Sequence, residues 1–198
     1  SHYQNKAKAD YVSKNYNDAL FEFEQVYDAS GKTDTGTLFN CTVAADRAEN
    51  TAKLQKYYEQ MIGNKQRLSL SYNSLVDLLY KLNDSTNAIE CLKKGRLALP
   101  NDLELLKKEI NYFIAKGKSM DALNNLNSAI DAKPKDELLY FTRGNTYDNI
   151  ANPRDSQGKF GQRKKNYDEM IGKAEADYKK AIELNPELFV ALYNLGVL

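Results

Sequence analysis

The 198-residue sequence has no tryptophan and contains only four prolines, two cysteines and one histidine. It also has no long apolar run, whereas a membrane-spanning helix needs about 20 consecutive apolar residues. Its 28 basic and 27 acidic residues nearly cancel, so no net charge attracts the chain to nucleic acid or to a membrane. These scarcities argue against a membrane span and against a partner recruited by overall charge.

The few residues that could perform chemistry lack partners. Cys41 and Cys91 have no metal-ligand spacing, and Cys41 falls on an apolar helical face, where a buried thiol is the usual outcome. No serine, cysteine or histidine has an activating partner nearby in the sequence, and His2 stands alone. We therefore predict a protein that is not an enzyme and that holds no catalytic site, metal or cofactor.

The tripeptide Gly31-Lys32-Thr33 could end a phosphate-binding loop, but a second glycine is needed five residues before it. Val26 occupies that place, and the preceding segment has apolar residues at helical spacing rather than a strand pattern. We interpret Gly31 as the glycine that ends a helix and begins a turn.

What the sequence does have is leucine (24) and alanine (19), which far outnumber isoleucine (8) and valine (6), a balance that favours helices. A small or apolar residue followed four positions later by a bulky one recurs along the chain. These first positions, at spacings of 35, 34, 34 and 52 residues, are Ala19, Leu54, Ala88, Ala122 and Ala174. A period near 34 predicts stacked helix pairs.

Three prolines close repeat units, each just after an apolar helix end: Pro100, Pro134 and Pro186. The units, most clearly "YNSLVDLLYKLNDSTNAIECLKKGRLALPND" and "AEADYKKAIELNPELFVALYNLGVL", resemble the tetratricopeptide repeat (TPR), in the style of Bacteroidota proteins. The resemblance implies an all-α solenoid of helix-turn-helix units, about five and a half repeats in a single array. Their approximate bounds are 1–34, 35–68, 69–102, 103–136, 137–188 and a partial repeat at 189–198.

The fifth repeat is longer than the others by 18 residues, since 52 minus 34 is 18. Asn152-Pro153 is a helix stop, which places the insertion near 152–169. We predict a first helix that ends near Ile150 and a long second helix from about Gln162 to Leu184, together an elongated hairpin.

TPR proteins commonly serve as scaffolds, and their first helices line a concave groove. The resemblance therefore implies a non-catalytic protein that binds a peptide or partner segment there. Mapped onto this sequence, the candidate binding residues are Asn40, Asn73, Asp77, Lys107, Lys108, Asn111, Phe141, Asn145, Tyr193 and Asn194. The carboxylate clamp of some TPR proteins is only partly matched, by Lys107 and Asn111, because Thr142, Val190 and Asn194 replace its other residues.

An alternative function is the binding of RNA or an anionic surface through the basic inserted loop 154–165, which carries Phe160 among its basic residues. A further expectation concerns "ELFVALYNLGVL", which begins a sixth repeat without the second helix that would cover it. We expect weak self-association through this C-terminal end. Both a cytoplasmic and a periplasmic or cell-envelope location are compatible with the sequence.

Overall fold

The computed structural model describes residues 2–153, 161–162 and 165–198, and these contain eleven α-helices and no strand. The helices follow one another as antiparallel pairs, so the predicted all-α TPR-like solenoid is confirmed. Their bounds are α1 His2–Val12, α2 Tyr16–Ala29, α3 Thr35–Arg47, α4 Thr51–Gly63, α5 Leu68–Lys81, α6 Ser85–Ala98, α7 Leu103–Ala115, α8 Ser119–Ala132, α9 Glu137–Ala151, α10 Tyr167–Leu184 and α11 Phe189–Val197.

The chain forms two compact units, residues 1–105 (unit 1) and 106–198 (unit 2). Unit 1 contains three helix pairs, α1 with α2, α3 with α4 and α5 with α6, and the start of α7. Unit 2 contains most of α7 together with α8, the pair α9 and α10, and α11. We call the odd-numbered helices the first helices and the even-numbered ones the second helices of their pairs.

The turn within each of the first four pairs has the same backbone geometry. One residue in each adopts a left-handed conformation, and these residues are Lys14, Glu49, Asn83 and Gly117, with φ of 64°, 54°, 60° and 68°. The next amide then bonds back to the helix, as Asn50 N–H does to Ala45 O at 2.9 Å. Such a bond satisfies a carbonyl left open at the helix end. The turn repeats at nearly the same spacing as the core residues.

Gly31 ends α2 in the left-handed conformation, with φ of 65°. The amide of Lys32 then donates to Tyr27 O at 3.0 Å, which closes the helix. The prediction of a turn between repeats at this tripeptide is confirmed.

The repeated small residues lie in the core: Ala19, Ala88, Ala122 and Ala174 have no exposed surface, and Leu54 is 6% exposed. Most of the bulky residues four positions later are buried as well, among them Phe23, Leu92, Leu126 and Tyr178. In α4 the predicted Tyr58 is only half-buried, and it packs against both core clusters of unit 1. The fully buried ring there belongs to its neighbour Tyr57.

The fifth pair differs in one respect from the prediction. Helix α9 ends at Ala151 and α10 ends at Leu184, close to the expected positions. However, α10 begins at Tyr167, so the predicted start near Gln162 was wrong. Asn166 precedes the helix, and Asp168 and Glu169 in its first turn interact favourably with the positive end of the helix dipole.

Gly144 allows α9 to approach α10 closely. A β-carbon at this position would lie 2.8 Å from Cε1 of Tyr178 and 3.3 Å from the carbonyl oxygen of Ala174. The Tyr178 ring has no exposed surface and therefore no room to move aside.

We therefore expect Gly144→Ala to lower the free energy of unfolding by about 1–3 kcal/mol, measured by urea denaturation followed by circular dichroism. Gly172→Ala is the matched control. It lies in α10, and its added methyl group would meet no atom within 4 Å. The control should stabilise the helix by up to about 1 kcal/mol. Equal effects of the two changes would contradict this packing.

Candidate binding faces on the first helices

The predicted binding residues all lie on first helices, but they belong to two compact units. Asn40, Asn73 and Asp77 lie on α3 and α5 of unit 1. In unit 2, Lys107, Lys108 and Asn111 lie on α7, Phe141 and Asn145 on α9, and Tyr193 and Asn194 on α11.

In unit 1, Asn73 is half-buried and holds α5 to the start of α7. Its Nδ2 donates to Ser69 O at 3.0 Å and to Asp102 Oδ1 at 3.3 Å, and Asp102 also accepts from the amide of Leu105 at 3.0 Å. Burial alone would raise the pKa of Asp102, but these hydrogen bonds and one from Ser69 outweigh it and lower that pKa. The side-chain amide nitrogen of Asn73 thus connects α5 to Asp102, the residue before α7.

Asp77 lies at the rim of a depression of about 260 Å³ between the α3–α4 pair and α5. Leu54, Tyr58 and Leu78 contribute apolar surface to it, and Asp46 joins Asp77 at its edge. Asn40, on α3, is partly exposed. The face of unit 1 therefore combines the exposed charges of Asp46 and Asp77 with the half-buried ring of Tyr58.

Arg67, which immediately precedes α5, is not one of the predicted binding residues. Its guanidinium carbon lies over the Phe39 ring on α3, 3.9 Å from the ring centroid, a cation–π contact. Arg67 is exposed, and its backbone is left-handed with φ of 42°. The two residues are 28 positions apart, and no local pattern connects them.

In unit 2, a depression of about 170 Å³ lies where α7, α8 and α9 meet. Asn111 and Leu138 are exposed residues in its lining, and Leu138 has 48% of its surface accessible. Lys107 also lines it and forms an ion pair with Asp136 at 3.3 Å. Lys108 is partly buried on the same helix. This depression offers an amide and a cation around apolar side chains.

Asn145 is tied into a hydrogen-bond network that joins three helices. Its Oδ1 accepts from the hydroxyl of Tyr178 on α10 and from Nδ2 of Asn194 on α11, both at 2.8 Å. Phe141 packs beside the same tyrosine, with ring centroids 6.0 Å apart. Among the predicted binding residues, Phe141, Asn145 and Asn194 therefore support the packing of α9, α10 and α11.

Helix α11 presents exposed apolar residues in unit 2. Tyr193 is 71% exposed, Phe189 is 73% exposed and Val197 is 64% exposed. Weak self-association through this surface stays a prediction.

Arg143, on α9, forms a buried ion pair that the sequence analysis also missed. Its Nε and one terminal nitrogen donate to the two oxygens of Asp177 on α10 at 2.8 and 2.7 Å. These hydrogen bonds raise the pKa of Arg143. A third donor reaches Asn127 Oδ1 on α8 at 2.7 Å. This arginine therefore uses its donors inside the protein.

Polar residues also bond at the equivalent positions of the first and fourth helix pairs, 16 residues apart. Lys6 pairs with Glu22, and Asn125 donates to Glu109 at 2.9 Å. Arg143 and Asp177 are 34 apart because the 18-residue insertion separates them. The signal that could have revealed them is this offset of complementary polar residues in the first and fourth helix pairs.

The described residues include two cysteine thiols, and both are buried. Burial raises the pKa of the Cys41 thiol to about 12 and that of Cys91 to about 11, which suppresses the reactive thiolate. No group of three or more His, Cys, Asp or Glu side chains there could hold a metal ion. Within residues 2–153, 161–162 and 165–198, every helix is too short or too polar to span a bilayer.

The alternative site in the basic loop 154–165 falls largely outside the described residues. Arg154, Lys159, Phe160, Arg163 and Lys164 are not among those residues, and Lys165 is exposed.

Comparison with known proteins gives matches in structure and not in sequence. No protein-family model and no curated protein sequence matches the chain. The solved structure of YrrB, described as a TPR protein with an unusual peptide-binding site, is similar over 97% of this chain and 89% of its own, with a TM-score of 0.63 and 18% identity. The C-terminal part of a TPR protein from Cytophaga hutchinsonii is similar over 94% of this chain and 66% of its own, with a TM-score of 0.62 and 17% identity.

A TPR protein from Bacteroides fragilis is similar over 97% of this chain and 94% of its own, with a TM-score of 0.50 and 20% identity. The fold that these proteins share is a solenoid of antiparallel helix pairs. The chain therefore has the TPR fold, as its 34-residue repeats predicted. The TPR fold commonly serves as a scaffold that binds proteins or peptides.

Proposed function

We propose that this protein is a non-catalytic scaffold that binds an extended peptide segment of a partner protein on its first helices. The observation that carries the proposal is the depression of unit 2 lined by Lys107, Asn111, Leu138 and Thr142. It places an exposed amide beside an exposed leucine, a combination that suits a peptide backbone together with one apolar side chain.

The position of this depression also favours a peptide over a small molecule. It lies between α7 and α9, and its volume of about 170 Å³ is smaller than the roughly 300–1,000 Å³ of small-molecule pockets. YrrB, whose fold is similar, is described as having a peptide-binding site. A peptide that follows the first helices of unit 2 would pass the exposed ring of Tyr193 as well.

The test is a selection of peptides from a displayed random library on the purified protein, followed by affinity measurement by fluorescence anisotropy. We expect the double variant Asn111→Ala with Leu138→Ala to bind a selected peptide about thirtyfold more weakly. It loses one hydrogen bond and one apolar contact, each worth about 1 kcal/mol.

The matched control is Asn124→Ala with Leu97→Ala, which removes the same side-chain types from exposed positions of second helices. It should leave binding unchanged. Equal affinities of both double variants and the unchanged protein would show that the peptide binds elsewhere. Failure to select any peptide would argue against a peptide-binding scaffold.

A further inference from the structure

We propose that Arg67, which lies over Phe39, recognises an acidic side chain of the partner peptide. The inference rests on the proposed peptide-binding function and adds the chemistry of the partner at the face of unit 1. Three features of Arg67 carry it: its position over Phe39, its unused donors and its fixed backbone.

The position of Arg67 over Phe39 leaves its guanidinium accessible to a carboxylate. Its Cζ lies 3.9 Å from the centroid of the Phe39 ring, so the ring covers one side of the group. Arg67 is otherwise exposed to solvent. A carboxylate binds the edge of a guanidinium through two parallel hydrogen bonds.

These donors have no acidic partner among the described residues. The carboxylate of Asp34, which caps α3, is occupied by its own helix. Its Oδ1 accepts from the amides of Gly36 and Thr37 at 2.9 and 3.1 Å, and its Oδ2 accepts from the Thr37 hydroxyl at 2.7 Å. Arg143 differs from Arg67, because its guanidinium donates hydrogen bonds to Asp177 and Asn127.

The backbone that carries Arg67 is held in place by the turn between α4 and α5. Gln66, the preceding residue, donates from its amide to Met61 O at 2.7 Å and from its side chain to Thr35 O. The Ser71 hydroxyl lies 3.1 Å from the carbonyl oxygen of Arg67. A side chain placed by such a turn and by an aromatic ring loses less conformational freedom when it binds a ligand.

Phe39 and the neighbouring Asn40 lie on α3, one of the first helices on which we place the peptide. Phe39 is itself partly buried against the core cluster of unit 1. An acidic residue of the peptide bound at Arg67 would therefore lie against α3, the helix that also carries the partly exposed Asn40.

The experiment uses the full chain and a random peptide library displayed with no free C-terminus, so that only side chains supply carboxylates. Selections are run in parallel on the wild-type protein, on Arg67→Gln and on Arg47→Gln. Arg47 is the matched control, an exposed arginine in the last turn of α3. Thermal unfolding of each variant verifies that the fold is retained.

We expect wild-type and Arg47→Gln selections to enrich Asp or Glu at one peptide position, and the Arg67→Gln selection to lose that enrichment. For a selected peptide, Arg67→Gln should weaken binding about tenfold, as expected for a hydrogen bond to a charged group. Changing the peptide's Glu to Gln should have a similar effect on wild type and little further effect on Arg67→Gln. Arg67→Lys keeps the charge but should not restore the affinity, because lysine lacks the planar donor edge.

Selected peptides without an acidic preference, or with one that Arg67→Gln leaves intact, would overturn this inference and leave the scaffold function standing. A wild-type protein that selects no peptide would overturn both.

Discussion

Arg143→Ala is expected to destabilise the protein by about 3–5 kcal/mol, because it leaves Asp177 buried without its partner. The Asp177 side chain is only 7% exposed, and both its oxygens accept hydrogen bonds from the arginine. Urea denaturation followed by circular dichroism measures the change.

The surface pair of Glu175 and Lys179 provides the control on the same helix. Their side chains are 48% and 62% exposed, and Lys179→Ala should change stability by no more than about 0.5 kcal/mol. An Arg143→Ala effect of that size would show that the buried pair contributes no more than a surface pair.

The equivalent positions in the third helix pair, Leu75 and Cys91, are 16 residues apart and are apolar and buried. We expect the double change Arg143→Leu with Asp177→Cys to be less destabilising than Arg143→Ala alone. A buried ion pair replaced by apolar residues leaves no unpaired charge, whereas a broken pair does.

Tyr178→Ala should have an effect of similar size, about 3–5 kcal/mol, because it opens a cavity in the centre of unit 2. Tyr178 has no exposed surface, and Gly144 opposite it has no side chain that could fill the space. Tyr178→Phe is the control. It keeps the ring but removes the hydrogen bond from the hydroxyl to Asn145, at a cost of about 1 kcal/mol. Equal losses in the two variants would contradict the packing role of the ring.

The pH dependence of the free energy of unfolding provides a second test of the burial of Tyr178. Burial, with a contribution from the nearby charge of Asp148, raises its pKa from 10.0 to about 12. Since the folded state holds the proton more tightly than the unfolded state, this contribution to stability is present below pH 10 and is lost as the pH rises to 12. Tyr178→Phe should therefore lose less stability than the wild type over that interval.

The number and order of the helices could be predicted because their signals are local. The 3.6-residue period of apolar residues and the helix ends at Gly31, Pro100 and Pro134 depend on residues close in sequence. The 34-residue recurrence from Ala88 to Ala122 then implied stacking, since a single helix pair cannot bury its own apolar side.

The local turns were only partly predictable. Lys14, Glu49 and Asn83 adopt the left-handed conformation without being glycine, because the hydrogen bond back to the preceding helix stabilises it. The start of α10 was placed five residues too early, since 167 minus 162 is 5. Apolar periodicity alone does not specify where the first hydrogen-bonded turn forms.

The candidate binding residues were predicted as a set, but their individual roles depend on neighbours distant in sequence. Asn111 and Asn145 are the same residue type, 34 positions apart on successive first helices. The former is exposed beside a depression, whereas the oxygen of the latter accepts hydrogen bonds from Tyr178 and Asn194.

The repeating pattern of the sequence thus sufficed for the helix pairs and for the identity of the first helices, because short-range periodicity specifies both. Which partner each polar side chain contacts depends instead on the tertiary structure. Arg143 and Arg67 illustrate this, since one is committed to Asp177 and the other lies over Phe39 with its donors accessible. Both contacts join residues about 30 positions apart, and only the stacking of the helices brings such residues together.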